Sequence, residues 1–78
     1  MTEIRVEVSD GVAALFLAER LMPGSVLGIC GDHAWEVLVE ADGRAEDVLD
    51  KIAGWLRFQR FVKATVYVDG EPCTVRPN

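Results

Sequence analysis

The sequence predicts a two-layer α+β sandwich, in which one face of an antiparallel sheet packs against two helices. The first observation is the order of the periodic segments, strand-helix-strand-strand-helix-strand-strand. The second is that half of the 78 residues are hydrophobic, which suffices for one core and predicts a single domain over residues 1–78. The third is the pair Asp69-Gly70 between two alternating runs, the strongest short signal for a β-hairpin.

The strand predictions depend on the alternation of apolar and polar residues. In the first strand, β1 at 3–8, the side chains of Ile4, Val6 and Val8 share one face. The remaining strands are predicted at 26–30 (β2), 34–41 (β3) and in a hairpin over 64–76 (β4 and β5). The phase of β2 stays open, since either Val26 and Cys30 or Leu27 and Ile29 could face the helices.

Two helices are predicted at 11–22 and 44–61. Ser9 or Asp10 can cap the first helix, and the pair Pro23-Gly24 ends it. Asp42 is the predicted cap of the second helix. Its apolar residues fall on one stripe, which predicts an amphipathic helix lying on the sheet: Ala45, Val48, Leu49, Ile52, Trp55 and Leu56.

The element order resembles the ferredoxin-like plait, with a fifth strand added beside the fourth. That resemblance implies the sheet order β5-β4-β1-β3-β2, antiparallel, with both helices on one face. It covers the whole chain in topology but no specific motif, and a fold alone does not give a function. The turn Asp10-Gly11-Val12 is also similar to the strand-to-helix turn where ACT-type regulatory domains bind amino acids, although the usual Pro-Gly is absent. This second resemblance implies a small-ligand site at Ser9, Asp10 and Gly11.

Charge and composition make several classes of partner unfavourable. The formal net charge is -5, with thirteen acidic against eight basic residues, and no Lys/Arg cluster is present to attract nucleic acid or an anionic membrane. The N-terminal residues enter a strand directly, without the basic and apolar regions of a secretion signal. No apolar stretch approaches the length of a membrane span. We therefore expect a cytoplasmic protein with reduced thiols.

The turn that follows β2 holds the only cluster with reactive side chains. Cys30, Asp32 and His33 lie within four residues, and each type can ligate a metal or serve a nucleophilic site. A structural zinc site needs four ligands, however, and Cys73 is expected on the opposite edge of the sheet. We therefore interpret this segment as a polar turn and predict neither a metal nor a cofactor.

Four glutamates are expected on the open face of two neighbouring strands: Glu3, Glu7, Glu36 and Glu40. Paired carboxylates can act as acid and base or bind a divalent cation. Arg5 is expected to pair with them across the strands, so the favoured interpretation is a solvated face of alternating charge. This face and the Cys30/Asp32/His33 turn are the candidate sites if the chain is instead a small dimeric enzyme of the plait class.

Large apolar residues predicted to point outward indicate an interaction surface. On the first helix these are Val12 and Phe16; on the second, Phe58 lies among polar residues; on the open sheet face they are Leu38 and Tyr67. So many exposed apolar groups on so small a domain favour an interface. The predicted function is a non-enzymatic protein-interaction or regulatory module, whose partner is a second copy (a homodimer) or another protein.

Overall fold

The elements follow the predicted order, and a computed structural model describes them over residues 2–22, 24–31, 34–59 and 62–76. The strands are β1 (Glu3–Val8), β2 (Ser25–Cys30), β3 (Ala34–Glu40), β4 (Ala64–Val68) and β5 (Glu71–Cys73), and the helices are α1 (Gly11–Arg20) and α2 (Ala45–Arg57). The predicted α+β class, with two helices and a five-stranded antiparallel sheet, is confirmed.

The central strand of the sheet is β1. The strand order is β2-β3-β1-β4-β5, which reads β5-β4-β1-β3-β2 from the other edge. Each neighbouring pair is antiparallel, and Val6 lies opposite Val37 on one side and Val66 on the other. The alternation in β1 explains this central position, because its residues Ile4, Val6 and Val8 are almost completely buried.

Both helices cover the same face of the sheet. One buried cluster joins Leu17 of α1 and Ile52 of α2 to Val6 and Val37 of the sheet. The register of β2 settles its phase, since Leu27 lies opposite Val37 and packs against this cluster. The same register places Val26 on the open face, opposite Leu38. The five strands therefore have one covered face and one open face.

A buried hydrogen bond joins the two helices. The Trp55 indole Nε1 donates to the Ala13 carbonyl oxygen at 3.0 Å. At the other end of α1, Arg20 Nε donates to the Lys51 carbonyl oxygen at 3.0 Å. The first bond joins the start of α1 to the end of α2, and the second joins the end of α1 to the middle of α2, so the two helices lie side by side and antiparallel.

The helix ends differ in part from the predictions. Asp10 caps α1 by accepting the Ala13 N–H at 2.8 Å, as predicted. The helix ends at Arg20 rather than 22, ahead of Gly24 with its left-handed φ of 98°. The predicted cap of α2 is wrong: Arg44 occupies the cap position, and Asp42 accepts the Thr2 N–H instead.

The second helix ends at Arg57, and residues 60 and 61 of the predicted 44–61 helix lie outside the described residues. The hairpin turn has positive φ at both Asp69 (50°) and Gly70 (85°), as a two-residue turn of this type requires. The pair of Val66 with Cys73 matches the predicted register. The strand ends at Cys73 rather than 76, and Val75 packs against the core beyond it.

We predict that Trp55→Phe lowers the free energy of unfolding by about 2 kcal/mol, because it removes a buried hydrogen bond and leaves a cavity. The matched control is Trp35→Phe, since Trp35 is half-buried and packs only at the margin of the core. The measurement is urea unfolding followed by far-ultraviolet circular dichroism. Equal losses in the two variants would show that the Trp55 hydrogen bond contributes no stability of its own.

Candidate interaction surfaces

A row of side chains crosses the open face from one edge of the sheet to the other. The registers place Val26 opposite Leu38, Leu38 opposite Arg5, Arg5 opposite Tyr67, and Tyr67 opposite Pro72. We call these five residues the crossing row. Opposite residues on one face lie close enough for their side chains to touch. The row is therefore a mainly apolar band that contains a single cation at its centre.

Arg5 occupies the middle of the crossing row and contacts groups on three strands. Its guanidinium lies 4.4 Å from the centroid of the Tyr67 ring, within the range of a cation–π interaction. Its Nη1 lies 3.1 Å from Glu7 Oε1 and 3.7 Å from Glu36 Oε2. Leu38 and Tyr67 lie on this face as predicted, but both are half-buried, and the Arg5 guanidinium covers part of the Tyr67 ring.

Acidic side chains flank the crossing row on both sides. Glu7 lies opposite Glu36 on one side, and Glu3 lies opposite Glu40 on the other. Like charges placed directly opposite each other are unfavourable. Arg5 offsets this repulsion in the pair Glu7 and Glu36, because it forms an ion pair with each of them. The open face is thus apolar along its middle and acidic along its borders.

A shallow cavity of about 380 Å³ lies on the open face beside the pair Glu3 and Glu40. It is lined by Glu3, Gly24, Val26, Leu38, Val39, Glu40 and Arg44. Within the described residues, no three His, Cys, Asp or Glu side chains are grouped as a metal ion would need. Glu3 and Glu40 line this cavity together with Arg44, and they form part of the acidic border.

The outer side of α1 carries exposed apolar groups. Val12 and Phe16 are 63% and 56% exposed, and both point outward as predicted. Leu15 is 47% exposed, but it was not among the residues predicted to point outward. Helical spacing indicates this position, because Leu15 lies one turn after Val12 and one turn before Glu19 on the outer side. The inner side is also apolar, with Ala13, Ala14, Leu17 and Ala18 buried. The charged residues of α1, Glu19 and Arg20, stand at its C-terminal end, so its first two turns are apolar on both sides. Such a segment is typical of a helix covered on both sides.

Phe58 belongs to the same layer as the outer side of α1. It is the residue that caps the end of α2, and it is 75% exposed. Phe58 follows Trp55 by three residues, so the two side chains share a flank of α2. Because Trp55 is bonded to Ala13, this flank faces the start of α1. We call Val12, Leu15, Phe16 and Phe58 the helix-layer patch.

The turn predicted as a ligand site is occupied by contacts within the chain. Asp10 accepts the Ala13 N–H. The Ser9 N–H donates to the Lys63 carbonyl oxygen, and Ser9 Oγ accepts the Lys63 N–H, both at 3.0 Å. Gly11 lies against Trp35, where an added Cβ would be 2.8 Å from Cε2 of the indole ring. Asp10 thus caps α1, Ser9 holds the loop at Lys63, and Gly11 permits close packing of Trp35.

The Cys30/Asp32/His33 cluster cannot be placed as a site. Asp32 and His33 lie outside the described residues, as does the side chain of Cys30. Cys73 has a free thiol on β5, at the opposite edge of the sheet from β2. Four strand spacings of about 4.8 Å separate these edges, far more than the Cα distance of a disulfide, which is at most about 7 Å.

We predict that Asp10→Ala lowers the free energy of unfolding by about 1 kcal/mol through loss of the helix cap. The matched control is Asp50→Ala, because Asp50 is exposed on the solvated side of α2 and is expected to change stability by less than about 0.5 kcal/mol. Urea unfolding curves of both variants provide the comparison. Unchanged stability in Asp10→Ala, together with a melting temperature that responds to free amino acids only in the wild type, would favour the ligand interpretation of the turn.

No protein-family model, no curated protein and no solved structure matches this chain. Among the described residues, no helix is long and apolar enough to cross a membrane. Two surfaces of the described residues stand out, the crossing row with its acidic borders and the helix-layer patch.

Proposed function

We propose that this chain is a small non-enzymatic protein-interaction or regulatory module that self-associates through its helix layer. The observation that carries the proposal is the outer side of α1, where Val12, Leu15 and Phe16 are exposed opposite a fully apolar inner side. Helices of monomeric proteins usually turn a polar side to water. An apolar outer side is favourable when a second molecule covers it.

The size of the helix-layer patch is sufficient for a weak dimer. Complete burial of a Val, Leu or Phe side chain contributes roughly 1.5–3 kcal/mol. In a two-fold symmetric dimer both copies bury the same patch, so the free energy gained from each residue enters twice. From this gain, association subtracts at least about 4 kcal/mol of lost rotational and translational freedom. Because these side chains are only 47–75% exposed before association, the gain is smaller than complete burial would give. The range that remains includes the value of about 8 kcal/mol that corresponds to a micromolar dissociation constant.

Charge supports the helix layer, rather than the open sheet face, as the contact between identical copies. Two open faces would bring Glu3, Glu7, Glu36 and Glu40 of each copy against the same residues of the other. Such like-charge contacts oppose association. The open face is better suited to a different protein that places an apolar group over Leu38 and basic side chains over the acidic borders.

The chain topology supports a finer description of the fold. The strand order and the position of both helices on one face are those of a ferredoxin-like plait extended by β5, and we propose this assignment for a cytoplasmic protein. Two alternatives, an ACT-like ligand-sensing domain and a small dimeric enzyme, share this fold. The contacts of Ser9, Asp10 and Gly11 within the chain do not favour the ligand-sensing alternative, and the enzyme alternative would use the acidic borders or the Cys30/Asp32/His33 turn.

We predict that the wild-type protein is a dimer at tens of micromolar concentration and that Phe16→Glu weakens the dimer by about tenfold or more, because a buried charge replaces a buried aromatic group. Thr74→Glu introduces the same charge at an exposed position beyond β5 and serves as the matched control. Static light scattering over a concentration series measures the mass of each variant.

A wild-type protein that remains monomeric at every concentration would contradict self-association and leave a different protein as the partner of the helix-layer patch. Equal masses for Phe16→Glu and the wild type, with both dimeric, would instead exclude Phe16 from the contact.

A further inference from the structure

The two edges of the sheet differ in how they are protected against pairing with another strand. The β5 edge is only three residues long and includes Glu71 and Pro72, and short edges with charge and proline resist added strands. The β2 edge is six residues long, Ser25–Cys30, and has no charged residue. In the sheet of the described residues β2 has a neighbour on one side only, so its outward backbone groups are available to a partner strand.

The side chains of β2 add to the exposure of this edge. Val26 is 61% exposed on the open face, and Ile29 is 70% exposed on the helix face. The ladder with β3 runs through six consecutive pairs without a bulge, so the strand keeps a regular outer edge. A long, regular, apolar edge strand is the form that pairs most readily with another chain.

We infer that β2 pairs antiparallel with β2 of a second copy, so that two five-stranded sheets join into one sheet of ten strands. The inference depends on the self-association in the proposed function and names the strand contact within it. A second copy fits this edge because an uncharged strand meets its own copy without repulsion, even though each chain carries a net charge of -5. An antiparallel pair of identical strands also satisfies two-fold symmetry.

The side chains select one register for this pairing. Residues opposite each other must share a face, so the two-fold axis passes beside a residue rather than between two residues. The axis positions that pair the most residues of Ser25–Cys30 are the two central ones, Leu27 and Gly28. The axis at Gly28 places Ile29 of one copy opposite Leu27 of the other, and Val26 opposite Cys30. The axis at Leu27 would place Ile29 opposite Ser25. The first register pairs the large apolar side chains of Ile29 and Leu27 on the helix face, which favours it.

The helix above this edge enlarges the contact. Ser25 Oγ donates to the Ala18 carbonyl oxygen at 2.6 Å, and Trp35 of β3 lies against Gly11. Leu15 lies one helical turn from both Ala18 and Gly11, so it belongs to the flank of α1 nearest the edge. Pairing of two β2 strands brings the two α1 helices side by side with their Leu15 residues between them. A strand pair alone is small beside a standard interface of about 1,600 Å², and the helices supply additional area.

The register is tested by a disulfide across the axis. Gly28→Cys is introduced together with Cys30→Ser and Cys73→Ser, which remove the natural thiols. A Cβ at residue 28 would meet nothing closer than Glu36 Cγ at 3.8 Å, so the fold accepts the substitution. Opposite residues of an antiparallel pair have Cα atoms about 4.5–5.5 Å apart, within the range of a disulfide. We expect rapid formation of a covalent dimer under mild oxidation, seen on a non-reducing gel.

The matched control carries Thr74→Cys in the same background, at the protected edge of the sheet, and is expected to stay monomeric on the gel. A second variant, Ile29→Lys, tests the noncovalent contact, because edge lysines oppose strand pairing. It should raise the dissociation constant of the dimer by about tenfold or more, since the symmetric interface contains the substitution twice. Circular dichroism checks that the variant is folded, as expected for a residue that is mostly exposed.

The outcomes separate this inference from the proposed function. Selective cross-linking at residue 28 together with weakening by Ile29→Lys supports the strand pairing. A wild-type dimer that is weakened by Phe16→Glu, but neither cross-links at residue 28 nor responds to Ile29→Lys, overturns the strand pairing and leaves self-association through the helix-layer patch. A wild-type monomer overturns both.

Discussion

The buried hydrogen bond from the Trp55 indole to the Ala13 carbonyl oxygen sets the arrangement on which the surfaces of this protein depend. An apolar core alone would permit α1 to rotate about its axis, because apolar side chains cover both its inner and its outer side. A buried N–H that loses its acceptor is unfavourable by about 1–3 kcal/mol, so the bond selects one rotation. In that rotation Leu17 enters the core, and Val12 and Phe16 point away from the sheet.

The second constraint is that two helices cover only one face of a five-stranded sheet. The other face must meet water or a partner, and the protein fills it with a row of side chains rather than with a third layer. Arg5 stacks on Tyr67 and pairs with Glu7 and Glu36, which reduces the apolar area that Leu38 and Tyr67 expose. The acidic borders then oppose contact between identical open faces, because like charges brought together across an interface are unfavourable.

Local patterns in the sequence were sufficient for the elements whose surroundings are simple. The alternation of Ile4, Val6 and Val8 predicted a half-buried strand, and β1 is the central strand of the sheet. The Asp69-Gly70 pair predicted a tight hairpin, because both positions tolerate positive φ. The outward positions of Val12, Phe16 and Phe58 followed from helical spacing alone. Each of these features depends on residues only a few positions apart.

The tertiary structure decided what depends on distant parts of the chain. The phase of β2 was ambiguous because its residues are apolar on both faces, and pairing of Leu27 with Val37 resolved it. Arg44 rather than Asp42 occupies the cap position of α2, and Asp42 instead accepts the backbone N–H of Thr2, forty residues away in the chain. Leu38 and Tyr67 were expected to be exposed, yet the Arg5 stack and the neighbouring strands half-bury them. Sequence patterns report which face a residue takes within its own element, whereas burial depends on which other elements reach that face.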